Sequence, residues 1–157
     1  MPQHTQLTLA ELTTRTGLDV LGHLEREVTI PVIDGLQAQG DLIVVPRAFL
    51  ADSISVPPFA ERREVPPAGV ELLRSAAGGN PHTLVADAGT CWWTAGVRDR
   101  DGLALGLIET TAVAYLVHPE HGGTGMAPGS YVVRRQREND EGTIRFGTGY
   151  GYRLVAD

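Results

Sequence analysis

Residues 91–118, CWWTAGVRDRDGLALGLIETTAVAYLVH, give the strongest indication of the fold that this chain is expected to adopt. It holds three apolar runs of strand length, Cys91 to Ala95, Leu103 to Ile108 and Ala112 to His118. The turn residues Asp99-Arg100-Asp101-Gly102 separate the first two runs and are typical of a β-hairpin. The stretch therefore predicts successive short β-strands rather than helices.

The same rhythm continues on both sides of this stretch. Further strands are predicted at Leu42 to Val45, Val70 to Leu73, His82 to Asp87 and Tyr131 to Glu138, with two short strands at the end of the chain. The glycine-rich residues between His118 and Gly129 predict a loop. About eight strands at near-regular spacing predict a mainly β fold, either a small barrel or a two-sheet, jelly-roll-like sandwich.

Residues 1–30 have a different pattern, which predicts a short helical N-terminal extension. Thr8 can cap a first helix that ends at Gly17. Asp19 can cap a second helix from Val20 to Glu27. We expect this extension to pack on the β domain or on a neighbouring subunit.

The remaining residues, 31–157, are predicted to form a single β domain, since 157 residues suit one domain. Within it, residues 51–68 predict a Pro-rich, extended connector around a charged stretch. Its four prolines are Pro57, Pro58, Pro66 and Pro67.

Composition excludes several classes of function. All 13 basic residues are Arg, so a Schiff-base lysine and a Walker-type phosphate lysine are excluded. The net charge of −6 argues against nucleic-acid partners and anionic membrane surfaces. Cys91 is the sole cysteine, so no intrachain disulfide or cysteine-based zinc site can form. No signal peptide or membrane-spanning run is recognised, and the expected location is the cytoplasm or a particle assembled there.

Three histidines are the first candidate site. Alternation places His82 on the strand face of Leu84 and Ala86, and His118 on the face of Ala114 and Leu116. If both faces turn inward, the two imidazoles meet in the core, close to His121. With a carboxylate, Glu138 among the candidates, the three histidines would suit a mononuclear Zn or Fe site. The alternative is that these histidines only form hydrogen bonds at strand ends.

Histidines pointing into a small β core resemble the cupin jelly roll. That resemblance implies a metal held inside the fold and a small metal-dependent enzyme. The chain departs from the cupin pattern because it has no His-x-His pair on a strand.

The strand from Tyr131 to Glu138 is the second candidate. Alternation places Arg135 and Arg137 on the face of Tyr131 and Val133, and Arg134 and Gln136 on the other face. Arg135 and Arg137 could bind carboxylate or phosphate, or pair with acidic residues of this chain or of a second copy. We favour the pairing.

The adjacent Trp92 and Trp93 are the third candidate, because consecutive strand residues point to opposite faces. One indole is expected in the core and the other at an interface. The predicted interface residues are therefore Trp92, Trp93, Tyr131, Arg135 and Arg137.

Several blocks resemble a group of small, largely uncharacterised proteins of actinobacteria and their phages. They are 39–46 (QGDLIVVP), 78–84 (GGNPHTL), 118–122 (HPEHG), 127–131 (APGSY), 134–138 (RRQRE) and 153–157 (RLVAD). The resemblance implies a complete small domain and points to five positions, His82, His118, His121, Arg135 and Arg137. It implies no reaction.

The sequence favours a non-catalytic β module that binds a protein partner or assembles with itself, of the kind found in phage particles or derived from phages. No cofactor is expected on this interpretation. The alternative is a cupin-like enzyme with Zn or Fe bound by His82, His118 and His121. A second alternative is a nucleic-acid accessory protein that uses the N-terminal helices or Arg135 and Arg137, against which the acidic charge argues.

Overall fold

Two β-sheets packed face to face form the body of the molecule. The computed structural model describes residues 6–18, 29–74, 81–138 and 153–154. The elements in chain order are α1 (Leu9–Thr16), β1 (Val32–Ile33), β2 (Gln37–Gln39), β3 (Leu42–Pro46), a 3-10 helix (Arg47–Leu50), β4 (Ile54–Ser55), β5 (Arg62–Glu64), β6 (Val70–Arg74), β7 (Pro81–Val85), β8 (Cys91–Ala95), β9 (Arg98–Asp99), β10 (Ala104–Thr110), β11 (Ala114–His118), β12 (Gly122–Met126), β13 (Gly129–Arg135), β14 (Arg137–Glu138) and β15 (Arg153–Leu154).

One sheet has five strands in the order β1-β12-β11-β7-β6, and the other has six in the order β2-β3-β13-β10-β8-β5. Neighbouring strands are antiparallel except for the parallel pair β1 and β12. Two small pairs, β4-β9 and β14-β15, complete the described strands. Neither sheet closes on itself, so the predicted mainly β fold is confirmed in its sandwich form rather than as a barrel.

The stretch 91–118 forms the strands that its sequence predicts. β8 spans Cys91–Ala95 as predicted and pairs with β10, with Trp93 opposite Ile108. β11 then crosses to the other sheet, where it pairs with β7 and β12. The stretch therefore supplies central strands to both halves of the sandwich.

The loop predicted between His118 and Gly129 is wrong in part, because Gly122–Met126 is strand β12. Glycine is usually depleted in strands, which is why the sequence pattern favoured a loop. Here the missing side chain has a use at Gly125, where a Cβ atom would lie 2.9 Å from Val32 Cγ2 and 3.1 Å from the Pro31 carbonyl oxygen. Glycine lets β1 approach closely enough to pair with β12.

The main core lies between the sheets, as alternation predicts. β7 contributes Leu84 and β11 contributes Leu116, and both are fully buried. Trp93, Ile108 and Val133 face them from the six-stranded sheet. Alternation puts His82 and His118 on this same inner face, at one end of the core.

Helix α1 packs on the outer face of the five-stranded sheet. Its capping box joins Thr8 to Glu11, and Gly17 ends it in the left-handed conformation at φ 74°, so the predicted boundaries are confirmed. Leu9 and Leu12 are buried against Val85, Tyr115 and Val117. The predicted second helix, 20–27, lies outside the described residues. Among the described residues, no helix has the length and apolarity needed to cross a membrane.

Residues 47–56 cover the outer face of the six-stranded sheet. Ile54 packs there with Val97, Leu107 and Val132. Within the 51–68 connector, β4 pairs with β9 and β5 forms an edge strand beside β8. Val65, just after β5, is fully buried in the main core. The connector is thus anchored to the sandwich at three points.

Candidate functional site

The three candidate histidines meet at one end of the sandwich. The ring centroids of His82 and His118 are 4.5 Å apart, as are those of His118 and His121, and those of His82 and His121 are 6.4 Å apart. His82 and His118 are each 1% exposed, whereas His121 is exposed. The cluster therefore runs from the surface into the core.

His82 bridges the two sheets through both ring nitrogens. Nδ1 lies 3.0 Å from Gln39 Oε1, and Nε2 lies 2.9 Å from Asp41 Oδ1. Gln39 Nε2 donates to the Leu116 carbonyl at 3.0 Å, which leaves Oε1 to accept from His82. Because both partners accept, both imidazole nitrogens must donate. These contacts therefore suit a buried imidazolium paired with the Asp41 carboxylate.

His118 has the opposite arrangement. Its Nδ1 accepts the backbone N–H groups of Glu120 at 3.0 Å and His121 at 3.3 Å. A nitrogen that accepts carries no proton, so these contacts favour a neutral ring. The two core imidazoles are tilted by 43° to each other, and their hydrogen-bond roles differ: His82 suits a donor on both nitrogens, whereas His118 Nδ1 accepts.

The cluster fits a metal poorly in this arrangement. A ligating nitrogen must present a lone pair, yet both His82 nitrogens are occupied as donors and His118 Nδ1 faces backbone N–H groups. In the part of the chain that the structure describes, no three His, Cys, Asp or Glu side chains are placed to hold a metal ion. The Glu138 side chain, the fourth predicted ligand, lies outside the described residues. The Zn or Fe site stays a prediction.

The buried charge of strand β13 is Arg134. It lies on the opposite face of the strand from Arg135, one of the two arginines that the sequence favoured. Arg134 Nη2 donates to Asp99 Oδ1 at 2.7 Å and to Asp101 Oδ2 at 3.3 Å, and its side chain is 7% exposed. Arg135 is exposed at the end of β13, and the Arg137 side chain lies outside the described residues. The structure therefore does not show Arg135 and Arg137 acting as a pair.

The two tryptophans lie on opposite faces of β8. Trp93 is buried in the main core, and Trp92 is half-buried on the outer face. The guanidinium of Arg62 lies 4.5 Å from the Trp92 ring centroid, and its Nε contacts Glu109 Oε1 at 3.1 Å. One face of the Trp92 ring is thus contacted by a side chain of the same chain.

Tyr131 is also an internal residue. It is 2% exposed, and its hydroxyl donates to the Ala127 carbonyl at 2.7 Å. Burial raises the pKa of Tyr131, and the nearby Asp34 carboxylate adds to this shift. Because Tyr131 is buried, a role at an interface would depend on the residues that cover it.

A different segment carries the exposed aromatic surface. Phe49 is 69% exposed and Phe59 is 76% exposed, and Val56 between them is also exposed. We call residues 47–61 the aromatic segment. In the sequence, Phe59 lies within the predicted connector 51–68 and Phe49 just before it, and neither was assigned a role.

A cleft of about 630 Å³ opens beside this segment, and we call it the Arg47 cleft. Its lining combines apolar and polar groups, and Arg47 and Asp34 contribute its charges. The lining residues are Asp34, Pro46, Arg47, Ala48, Ala51, Ile54, Pro128, Gly129, Ser130 and Tyr131. A volume of this size accommodates one or more large side chains.

Comparison with known protein families gives a match of unknown function. Residues 38–136 match a family model described as a domain of unknown function (DUF8820). The match contains the three histidines and the whole aromatic segment. No curated protein and no solved structure matches the chain. The likeness to cupins and to actinobacterial and phage proteins stays a prediction.

Proposed function

The chain belongs to the DUF8820 family of domains of unknown function, and from that premise we propose that it is a non-catalytic β module that assembles with a second copy of itself through the aromatic segment and the Arg47 cleft. The observation that carries this proposal is the exposure of Phe49 and Phe59 on one short segment. Large apolar side chains grouped on a surface are typical of protein interfaces.

The segment is held in place before any partner arrives. Ala60 N donates to the Pro57 carbonyl at 3.0 Å, which closes a turn around Phe59. The neighbouring strands β4 and β5 are each paired with other strands of the fold. A preorganised segment loses little conformational entropy on binding. Removing one phenyl ring from water then contributes up to about 3 kcal/mol.

Sedimentation velocity over a range of concentrations tests the proposal. The wild-type mass should rise with concentration above the single-chain value of 16.8 kDa. The double variant Phe49→Ser with Phe59→Ser should keep the single-chain mass throughout. Leu36→Ser is the matched control, because Leu36 is 48% exposed and lies outside both the segment and the cleft lining.

Two results would overturn the proposal. One is a wild-type protein with the single-chain mass at every concentration. The other is a double variant that associates as strongly as the wild type. Circular dichroism of each variant establishes that it is folded before its mass is compared.

A second candidate function is transition-metal binding, favoured by the convergence of His82, His118 and His121 within 4.5–6.4 Å. Binding would require His82 Nε2 to leave Asp41 and lose its proton. Elemental analysis of protein purified without chelators tests it. Less than about 0.1 metal ion per chain, or a content unchanged in His82→Ala and His118→Ala, would remove this candidate.

A further inference from the structure

We infer that the contact between two copies is reciprocal: Phe59 of each copy enters the Arg47 cleft of the other, with Glu61 pairing with Arg47 and Arg63 with Asp34. This inference rests on the proposed self-assembly and specifies its geometry. It makes the second copy, rather than an unrelated protein, the occupant of the cleft.

The lining of the cleft combines one cation, one anion and several apolar residues. Ala48, Ala51 and Ile54 supply apolar lining, and Arg47 and Asp34 supply the charges. Within the described residues, none of the ion pairs uses Arg47 or Asp34. Arg47 is half-buried and pairs with no carboxylate of the described residues, and such an arginine favours an additional anion.

The aromatic segment and the residues just after it offer the complementary set. Phe59 is 76% exposed, and Glu61 and Arg63 follow it at positions two and four residues further along the chain. Both charged side chains are exposed, and the ion pairs of the described residues do not include them. An apolar ring next to one anion and one cation matches an apolar cleft edged by one cation and one anion.

The two surfaces lie close enough together for a symmetric contact. Ile54 lines the cleft and Phe59 follows it by five residues, a reach of at most about 17 Å. In a two-fold dimer the same patch serves both partners, so a patch with both a protruding ring and a cleft can complement itself. Each dimer would then contain the Phe59 contact twice.

Charge reversal gives a specific test of this geometry. In Arg47→Glu both partners of the proposed pair are acidic, and in Glu61→Arg both are basic. Each variant alone should dissociate at least about tenfold more readily than wild type, because the charge contact is lost twice per dimer. An equimolar mixture restores both pairs in the mixed dimer, as does the double variant Arg47→Glu with Glu61→Arg. Both should associate within about threefold of wild type.

Arg135→Glu is the matched control. It changes the net charge by the same amount as Arg47→Glu, but it lies at the opposite end of β13 from the cleft. Its dissociation constant should stay close to the wild-type value. Sedimentation equilibrium at one fixed salt concentration measures all six samples, wild type included.

The outcomes separate this inference from the proposed function. A wild-type protein that never associates overturns both. A wild-type dimer that Arg47→Glu leaves intact, or whose weakening the mixture does not rescue, overturns the reciprocal contact and leaves self-assembly standing. Association that recovers in the mixture, but is weak in each variant alone, supports the inference. A variant that failed to associate because it was misfolded would not be rescued by adding the other variant.

Discussion

Replacing Asp41 by alanine is expected to destabilise the fold strongly, because it leaves the His82 imidazolium buried without its carboxylate. The two groups are 2.9 Å apart, with side-chain exposures of 1% for His82 and 11% for Asp41. Removing one partner of a buried ion pair typically costs about 3–5 kcal/mol. For a domain of this size that predicts a fall in Tm of roughly 6–20 °C.

Urea unfolding of wild type, Asp41→Ala, His82→Leu and the double variant measures this as a double-mutant cycle. The double variant should be less destabilised than the sum of the single variants, because it buries no unpaired charge. Asp87→Ala is the matched control. Its partner Arg15 lies 3.1 Å away, but Asp87 is 59% exposed, so its loss should cost less than about 1 kcal/mol.

A loss below about 1 kcal/mol for Asp41→Ala, with strictly additive effects in the double variant, would refute the charged pair. It would mean that the His82 ring is neutral, with one of its two nitrogens unprotonated. In that case a ring nitrogen would be available as a ligand, and the metal-binding alternative would gain support.

Three further predictions concern the packing and polar groups of the same sandwich. Gly106→Ala should lower the unfolding free energy by about 1–3 kcal/mol or more, because the new Cβ would lie 2.5 Å from the Trp93 ring and 2.6 Å from the Thr94 carbonyl oxygen. A urea midpoint equal to that of the wild type would contradict this close contact. Burial raises the pKa of Cys91 to about 11 despite a hydrogen bond to Thr110, so the thiol stays protonated at neutral pH. Stability should fall as the pH rises from about 9 towards 11, because the thiol of the unfolded chain ionises first. Rapid labelling of the native protein by a thiol reagent at pH 8 would argue against this burial. Asp99→Ala should destabilise more than Asp101→Ala, because their side chains are 2% and 46% exposed beside Arg134; equal thermal shifts in the two variants would count against a buried Arg134 pair.

The strands were predictable from the sequence where apolar runs alternate with turn residues. Cys91–Ala95 and Leu42–Pro46 follow from such runs almost to the residue. Gly122–Met126 did not, because glycine weakens strand propensity and its use here is a close approach by β1. Contacts from distant parts of the chain decide such a strand, and one sequence window cannot supply them.

The candidate site was predictable in part. Alternation placed His82 with Leu84 and His118 with Leu116, and the structure buries both histidines, but no sequence pattern assigned a role to Asp41, which follows a glycine. Its pairing with His82 spans 41 residues and two sheets. Likewise, side-chain exposure depends on the finished fold, so Phe49 and Phe59 were not distinguishable from core phenylalanines, and Trp92 could not be seen to lie under Arg62.

Hydrogen exchange of the wild-type protein at low and high concentration tests the self-assembly most directly, because it needs no substitution and maps the contact along the chain. Raising the concentration is expected to slow amide exchange in residues 47–61 and 128–130, while exchange in helix α1 and at the Arg135 end of β13 stays unchanged. Exchange that is independent of concentration, or protection that appears on α1 and not on the aromatic segment, would contradict it.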